Sequence, residues 1–151
     1  MRTIVLGMLF AVCSLLGSVN AIAADVQVPD AVKKAFADKY KDVTDGKWGE
    51  EKEGAKTMYE VAWKDKEGMK HEVEYEADGT VFLEATQIKT AALPKEVTAG
   101  VEKAYPGSSV TEAMLEKGKD TIYEVTIKDK DGKKVVLDVT ADGSKVTVDK
   151  D

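Results

Sequence analysis

Apolar and polar residues alternate along several short stretches of the chain, and a period of two predicts β-strands with one buried face. The alternation is clearest at residues 59–64, 69–76 and 123–128. In the second of these stretches His71, Val73 and Tyr75 point one way and the intervening glutamates the other. Weaker strands are predicted at 47–52, 80–86, 110–117 and 144–149, and around 137–139.

Two stretches instead carry apolar residues at helical spacing, each just after a proline. The first extends from about residue 30 to 40, and the second from about 95 to 105. Proline suits the start of a helix, because the N–H that it lacks would have no partner there. The pattern therefore predicts one helix before each group of strands.

A sequence pattern at residues 59–79 recurs 64 positions later, at 123–143. Both copies contain Tyr-Glu-Val, a Lys-Asp-Lys turn closed by glycine, and Ala-Asp-Gly, which indicates a tandem duplication. We therefore predict an α+β fold of two tandem repeats, each one helix followed by a four-stranded antiparallel meander sheet. The repeats are expected at 25–87 and 93–151, with a linker at 88–92. We expect the two repeats either to share a core or to join the edges of their sheets into one longer sheet.

The first 24 residues read as a cleavable signal peptide, with a basic start, an apolar run from Ile4 to Leu16 and a small-residue ending at Ala23-Ala24. An uncleaved anchor would need roughly 20 apolar residues, more than this run supplies. Cys13, the single cysteine, follows Val12 inside the run and so does not fit a lipoprotein site. The expected location is periplasmic or secreted, with no membrane insertion after cleavage.

Charge excludes one class of partner. The formal net charge is −6, and Arg2 is the only arginine and would be lost with the signal peptide. Nucleic-acid binding relies on clustered positive charge and on arginine to read guanine, so we predict no nucleic acid as a partner. The many lysines and glutamates are typical of a solvated surface.

The residues resemble the PepSY-like family, also described as β-lactamase-inhibitor-like, in two copies covering nearly all of the chain after residue 24. In the first copy the matching residues are Trp48, Tyr59-Glu60-Val61, Asp65, Gly68, Asp78 and Gly79. The second copy departs from the pattern at Glu112, which aligns with Trp48. The resemblance implies an exported binding or inhibitory module without chemistry of its own. It does not imply β-lactamase as the target, and the matching residues are scaffold residues that carry no function across.

An acidic set is the main candidate site. Glu72, Glu74 and Glu76 share the outer face of one strand, and Glu60 is expected on the neighbouring strand. Such a stripe suits a basic protein segment or a hard cation such as calcium. The interpretation that we favour from the sequence is a wet sheet face neutralised by Lys64 and Lys70, since exposed charges usually need no functional explanation.

Other candidates are weaker. Trp48 could stack on a ligand, whereas Trp63 is in phase with core residues. His71, the only histidine, is expected at the rim of the apolar face, and its neighbours in sequence form no local triad. Residues 129–132 resemble a calcium loop, but Ile127 occupies a required ligand position. The sequence contains no phosphate loop, nucleotide fingerprint or Cys/His cluster.

These features predict an exported, non-catalytic binding module with an unknown protein partner, possible roles being inhibitor or chaperone of another envelope or secreted protein. The alternative is a calcium binder that uses the acidic face. No cofactor is expected. An enzyme that uses a pair of carboxylates ranks last, because the spacing of the acidic residues does not single out any one pair.

Overall fold

The computed structural model describes residues 26–53 and 56–149. The predicted signal peptide and Cys13 lie outside the described residues. The elements, in chain order, are α1 (Asp30–Lys39), β1 (Lys47–Glu53), β2 (Lys56–Lys64), β3 (Lys70–Glu76), β4 (Val81–Ile88), a short 3-10 helix (Thr90–Ala92), α2 (Lys95–Ala104), β5 (Ser109–Lys117), β6 (Thr121–Lys128), β7 (Lys134–Thr140) and β8 (Val146–Val148).

The eight strands form one antiparallel sheet whose spatial order is the order of the sequence. β4 and β5 pair with each other, from Glu84 opposite Lys117 to Ile88 opposite Ala113. The prediction of two repeats, each with its own four-stranded sheet, is therefore wrong. The physical reason is that each four-stranded sheet would expose a row of unpaired backbone groups at this edge, and joining the edges satisfies them.

Both helices lie on the same face of this sheet. α1 packs Val32 and Phe36 against β2 and β3, and α2 packs Val97 and Val101 against β6 and β7. Every second residue of these strands points to a helix and completes an apolar cluster. The cluster under α1 contains Val61, Val73 and Tyr75. The cluster under α2 contains Val125, Ile127, Leu137 and Val139. The opposite face of the sheet is covered by neither helix.

Each helix also rests on a tight turn. Gly143 follows β7 with φ +67°, and a Cβ there would lie 2.0 Å from the carbonyl oxygen of Glu96 in α2. Gly100, inside α2, approaches the Gly143 carbonyl so closely that a Cβ would lie 2.5 Å from its oxygen. Only glycine allows both the backbone conformation and the close approach. These contacts set the distance between α2 and the sheet.

Within the described ranges, no helix is both long enough and apolar enough to cross a membrane. Of the residues predicted as a linker, Ile88 is the last residue of β4 and Thr90–Ala92 form the 3-10 helix.

Candidate functional site

The sheet face that the helices leave uncovered, which we call the open face, carries a continuous row of paired residues from β1 to β7. The row follows from the register of the strands and contains Lys47, Ala62, Glu72, Ala85, Glu116, Ile122 and Thr140. Side chains that are paired in this way point to the same face of a sheet. Two glutamates of this row, Glu72 on β3 and Glu116 on β5, are therefore separated by the single side chain of Ala85.

Further carboxyl groups flank this row. Glu60 on β2 is directly opposite Glu74 on β3, and Glu124 on β6 is directly opposite Asp138 on β7. Like charges in such positions repel each other when both are ionised. We call the full set the acidic stripe: Glu60, Glu72, Glu74, Glu116, Glu124 and Asp138.

The central members of the acidic stripe are buried although no helix covers them. Glu72, Glu74, Glu116 and Glu124 are between 6% and 9% exposed. Apolar residues beside them on the same face are buried as well, namely Met58, Leu83, Ala85 and Met114. The expectation of a wet face at these positions is therefore wrong, because neighbouring side chains of the face itself exclude the solvent.

Lysines neutralise the margins of the open face but not its centre. Lys56 pairs with Glu76 at 3.2 Å, and Lys70 pairs with Glu112 on β5. The predicted neutralisation of the β3 glutamates by Lys70 does not occur, because the amino group of Lys70 is paired with Glu112 on β5 instead. Glu76 consequently belongs to a surface ion pair and is set apart from the acidic stripe.

Three carboxyl groups of the acidic stripe have an unsatisfied oxygen. Within residues 26–53 and 56–149, the Oε1 atoms of Glu60, Glu72 and Glu116 are buried and have no hydrogen-bond partner. A buried polar group without a partner is costly, and each such group in a folded protein needs an explanation.

Burial changes the protonation of these groups. It raises the pKa of Glu72 to about 9 and the pKa of Glu116 to about 8, and neighbouring carboxylates add to both shifts. The pKa of Glu60 rises to about 7 and that of Asp138 to about 6, again mainly through burial. Glu72 and Glu116 are thus protonated and uncharged at neutral pH, since burial disfavours the charged form.

The acidic stripe does not have the geometry of a metal centre. Across the described part of the chain, no three histidine, cysteine, aspartate or glutamate side chains converge closely enough to hold a metal ion. Calcium takes six to eight oxygen ligands at about 2.3–2.6 Å. The carboxyl groups of the stripe are instead spread over five strands, β2, β3, β5, β6 and β7.

Trp48 is on the other face of the sheet from the glutamates. Its ring meets Phe36 of α1 edge to face, with the ring centroids 5.3 Å apart. Trp63 contacts Phe36 in a similar way, at 5.5 Å. Trp48 therefore joins the apolar cluster under α1, and the structure does not bring it together with Glu60, Glu72, Glu74 or Glu76.

His71 also lies on the helix-covered face, where its ring stacks on Trp63 at 5.3 Å. Its Nε2 is 3.0 Å from Asp65 Oδ2, and its Nδ1 is 3.4 Å from the hydroxyl oxygen of Thr86. A triad was not expected from the sequence. His71 and Thr86 line a small cavity, and Asp65 is not among its lining residues. The His–Thr separation exceeds the ~2.6–3.2 Å of a nucleophile and its base. Asp65 also accepts the backbone N–H groups of Glu67 and Met69, so its position is that of a turn former.

That cavity, of about 200 Å³, lies beside the end of α1. Lys39 on its wall is paired with Glu84 and lies over the ring of Tyr40. The charges of Lys39 and Glu84 at this cavity therefore compensate each other, whereas Glu72 and Glu116 of the acidic stripe have no such cationic partner among the ion pairs described above.

Sequence reasoning missed half of the acidic stripe, namely Glu116, Glu124 and Asp138. A signal for two of them was present, because Glu124 and Asp138 follow Glu60 and Glu74 by the same 64 residues that separate the two copies of the recurring sequence pattern. Glu116 has no such counterpart. Its place beside Ala85 depends on the pairing of β4 with β5.

No protein-family model matches the sequence, and no curated protein does either. Several solved structures share the fold. A DUF2874 family protein from Bacteroides ovatus has a TM-score of 0.64 and 16% identity, covering 80% of this chain and 86% of its own. A BLIP-like protein from Bacteroides fragilis has a TM-score of 0.55 and 22% identity, covering 82% and 89%. A protein from Bacteroides eggerthii that is proposed to be periplasmic has a TM-score of 0.66 and 15% identity, covering 80% and 88%.

These similarities concern the fold. They support the β-lactamase-inhibitor-like part of the resemblance at that level. The PepSY assignment and the tandem duplication stay predictions.

Proposed function

We propose that this protein is an exported, non-catalytic binding module of the PepSY-like type that recognises another envelope or secreted protein through its open face. It acts in the periplasm or outside the cell after loss of its first 24 residues. An inhibitory or chaperone role is the form of binding that we favour. The BLIP-like and periplasmic names of its structural neighbours are consistent with this assignment.

The observation that carries the proposal is the state of the open face. One face of the sheet is closed by two helices, whereas the other presents Glu60, Glu72 and Glu116, each with one buried oxygen that has no partner in the described residues. A fold does not need such groups, and a solvated surface would not bury them. A bound partner would supply the missing hydrogen bonds. A non-catalytic role is favoured because Asp65, the partner of His71, is held in its turn by the backbone N–H groups of Glu67 and Met69.

Site-specific photocrosslinking in the producing cells tests this. A photoreactive residue replaces Ile122, which is half-buried on the open face, and a control replaces Lys34, which is exposed on the outer side of α1. Discrete crosslinked proteins are expected from position 122 and not from position 34. Equal crosslinking from both positions, or none from position 122, would contradict a binding role for the open face.

Calcium binding through the same carboxyl groups is the second candidate. It is disfavoured by the spread of the acidic stripe over five strands and by the protonation of Glu72 and Glu116 at neutral pH. Calorimetry with millimolar calcium measures it directly. Saturable binding that disappears when Glu72, Glu74 and Glu76 are changed to glutamine would favour calcium over a protein partner.

A further inference from the structure

Resting on the proposed function, we infer that the partner is recognised by a cationic side chain, a lysine or arginine that enters between Glu72 and Glu116 next to Ala85. The inference names the chemistry of the ligand, which the proposed function leaves open. It begins from the register of three neighbouring strands. Glu72 on β3 pairs with Ala85 on β4, and Ala85 pairs with Glu116 on β5.

The spacing of these strands suits a single inserted group. Neighbouring strands lie about 4.8 Å apart, so the Cα atoms of Glu72 and Glu116 are about 10 Å apart. The only side chain between them in this row is the methyl group of Ala85. An ammonium or guanidinium group placed there is within reach of both carboxyl groups.

The burial of the two glutamates is the second and independent observation. Glu72 is 9% exposed and Glu116 is 7% exposed, and in the described part of the chain Oε1 of each lacks a hydrogen-bond partner. Two buried acceptors with no donor point to a ligand that brings donors. An ammonium group offers three N–H donors and a guanidinium group five, and both have the charge that makes such bonds strong.

The charges around the two glutamates select a cation. The titratable groups that act on them are all acidic: Glu60 on β2, Glu74 on β3, Glu124 on β6, Asp138 on β7 and Asp149 after β8. Of the lysines on this face, Lys56 of β2 is paired with Glu76 and Lys70 of β3 with Glu112. An anionic partner such as nucleic acid would be repelled here, and a divalent metal would not find enough convergent oxygens.

Binding of this kind is linked to protons. Burial raises the pKa of Glu72 to about 9 and that of Glu116 to about 8, so both carboxyl groups hold a proton in the free protein at neutral pH. A cation between them favours the ionised form, because an opposite charge nearby lowers a carboxyl pKa. Binding therefore releases protons, and the affinity rises as the pH increases from 6 to 8.

The experiment is a calorimetric titration of the purified protein with N-acetylated, C-amidated pentalysine at low ionic strength. It is performed at pH 7.5 in two buffers with different ionisation enthalpies, which counts the protons released. The inner variant carries Glu72→Gln and Glu116→Gln. The control variant carries Glu76→Gln and Glu112→Gln, which removes the same number of carboxyl groups from the lysine-paired margins of the same face.

The inner variant is expected to bind about tenfold or more weakly and to release fewer protons than the unmodified protein, and the control variant to change affinity by less than about threefold, as for surface charges. Equal losses in the two variants would show diffuse attraction and overturn the inference. Binding without proton release, or no binding to the unmodified protein, would overturn it as well.

The two proposals can fail separately. If position 122 crosslinks to a protein but pentalysine does not bind, the binding role stands and the cationic ligand is wrong. If pentalysine binds with proton release but no protein crosslinks to position 122, the cation site stands and the protein-binding role is wrong.

Discussion

Replacing Glu72 with glutamine should stabilise the protein at alkaline pH and leave it almost unchanged in acid. Glutamine has nearly the shape of a protonated glutamate, so the folded state keeps its packing. The unfolded state changes more. There, Glu72 loses its proton near its ordinary pKa of 4.5, whereas burial raises the pKa in the folded protein to about 9. Between these values the folded protein holds a proton that the unfolded chain has released.

The sign follows from proton linkage. A state that binds more protons is favoured by low pH, so the buried carboxyl groups make the free energy of unfolding fall as the pH rises from about 4.5 to 9. Asp65, Asp78 and Asp142, whose pKa values are lowered by hydrogen bonds in their turns, act in the opposite direction and only in more acidic solution. Stability should therefore be greatest near pH 5.

The magnitude has an upper limit. Each pH unit above 4.5 costs about 1.36 kcal/mol, so Glu72 alone would cost about 5 kcal/mol at pH 8. Glu116 carries a similar cost. The two full costs together would approach the whole stability of a domain of this size, which is usually about 5–15 kcal/mol. We therefore expect a gain of about 2–3 kcal/mol for Glu72→Gln at pH 8, and less than about 0.5 kcal/mol at pH 4.5.

Urea unfolding measured by tryptophan fluorescence provides the assay, because Trp48 and Trp63 both pack against Phe36 in the core. The matched control is Glu76→Gln, which removes a carboxylate from the same strand but only a surface ion pair with Lys56. The control should shift stability by less than about 1 kcal/mol at either pH. If Glu72→Gln destabilises the protein at pH 8, or if its pH profile parallels that of the unmodified chain, Glu72 is not a buried protonated acid.

Three further substitutions test the packing by thermal or urea unfolding. Tyr75→Phe should be neutral or stabilising by up to about 1 kcal/mol, because Tyr75 is fully buried and its hydroxyl has no partner in the described residues; a loss above about 1 kcal/mol would reveal a hydrogen bond. Gly100→Ala should destabilise by about 1–3 kcal/mol through its clash with the Gly143 carbonyl, despite the better helix propensity of alanine, and an increase in stability would refute the close approach. Phe36→Ala should cost about 3–5 kcal/mol, and a cost below about 1 kcal/mol would contradict its central place under α1.

The local elements could be predicted from the sequence because their signals are local. The alternation around Val61 and the proline before each helix are sufficient to predict strands and helices. The pairing of β4 with β5 could not be predicted in the same way, since it depends on two edges that are distant in sequence. Alternation also assigned Glu72 and Glu74 to one face, but it carries no information on whether that face is wet. Their burial depends on neighbours such as Met114, which the strand register brings beside them.

The open face shows that the fold does not require a carboxyl group at the position of Glu72. Val136 on β7 pairs with Thr126 on β6 as Glu72 on β3 pairs with Ala62 on β2, and here the sheet accepts an apolar residue on the same face. An apolar residue at position 72 would avoid the cost of holding a proton at neutral pH. A buried acid with an unsatisfied oxygen therefore lowers stability where an alternative is available. Residues that break the rules of stable packing without local compensation are expected at functional sites, because the missing interaction is made in the bound state.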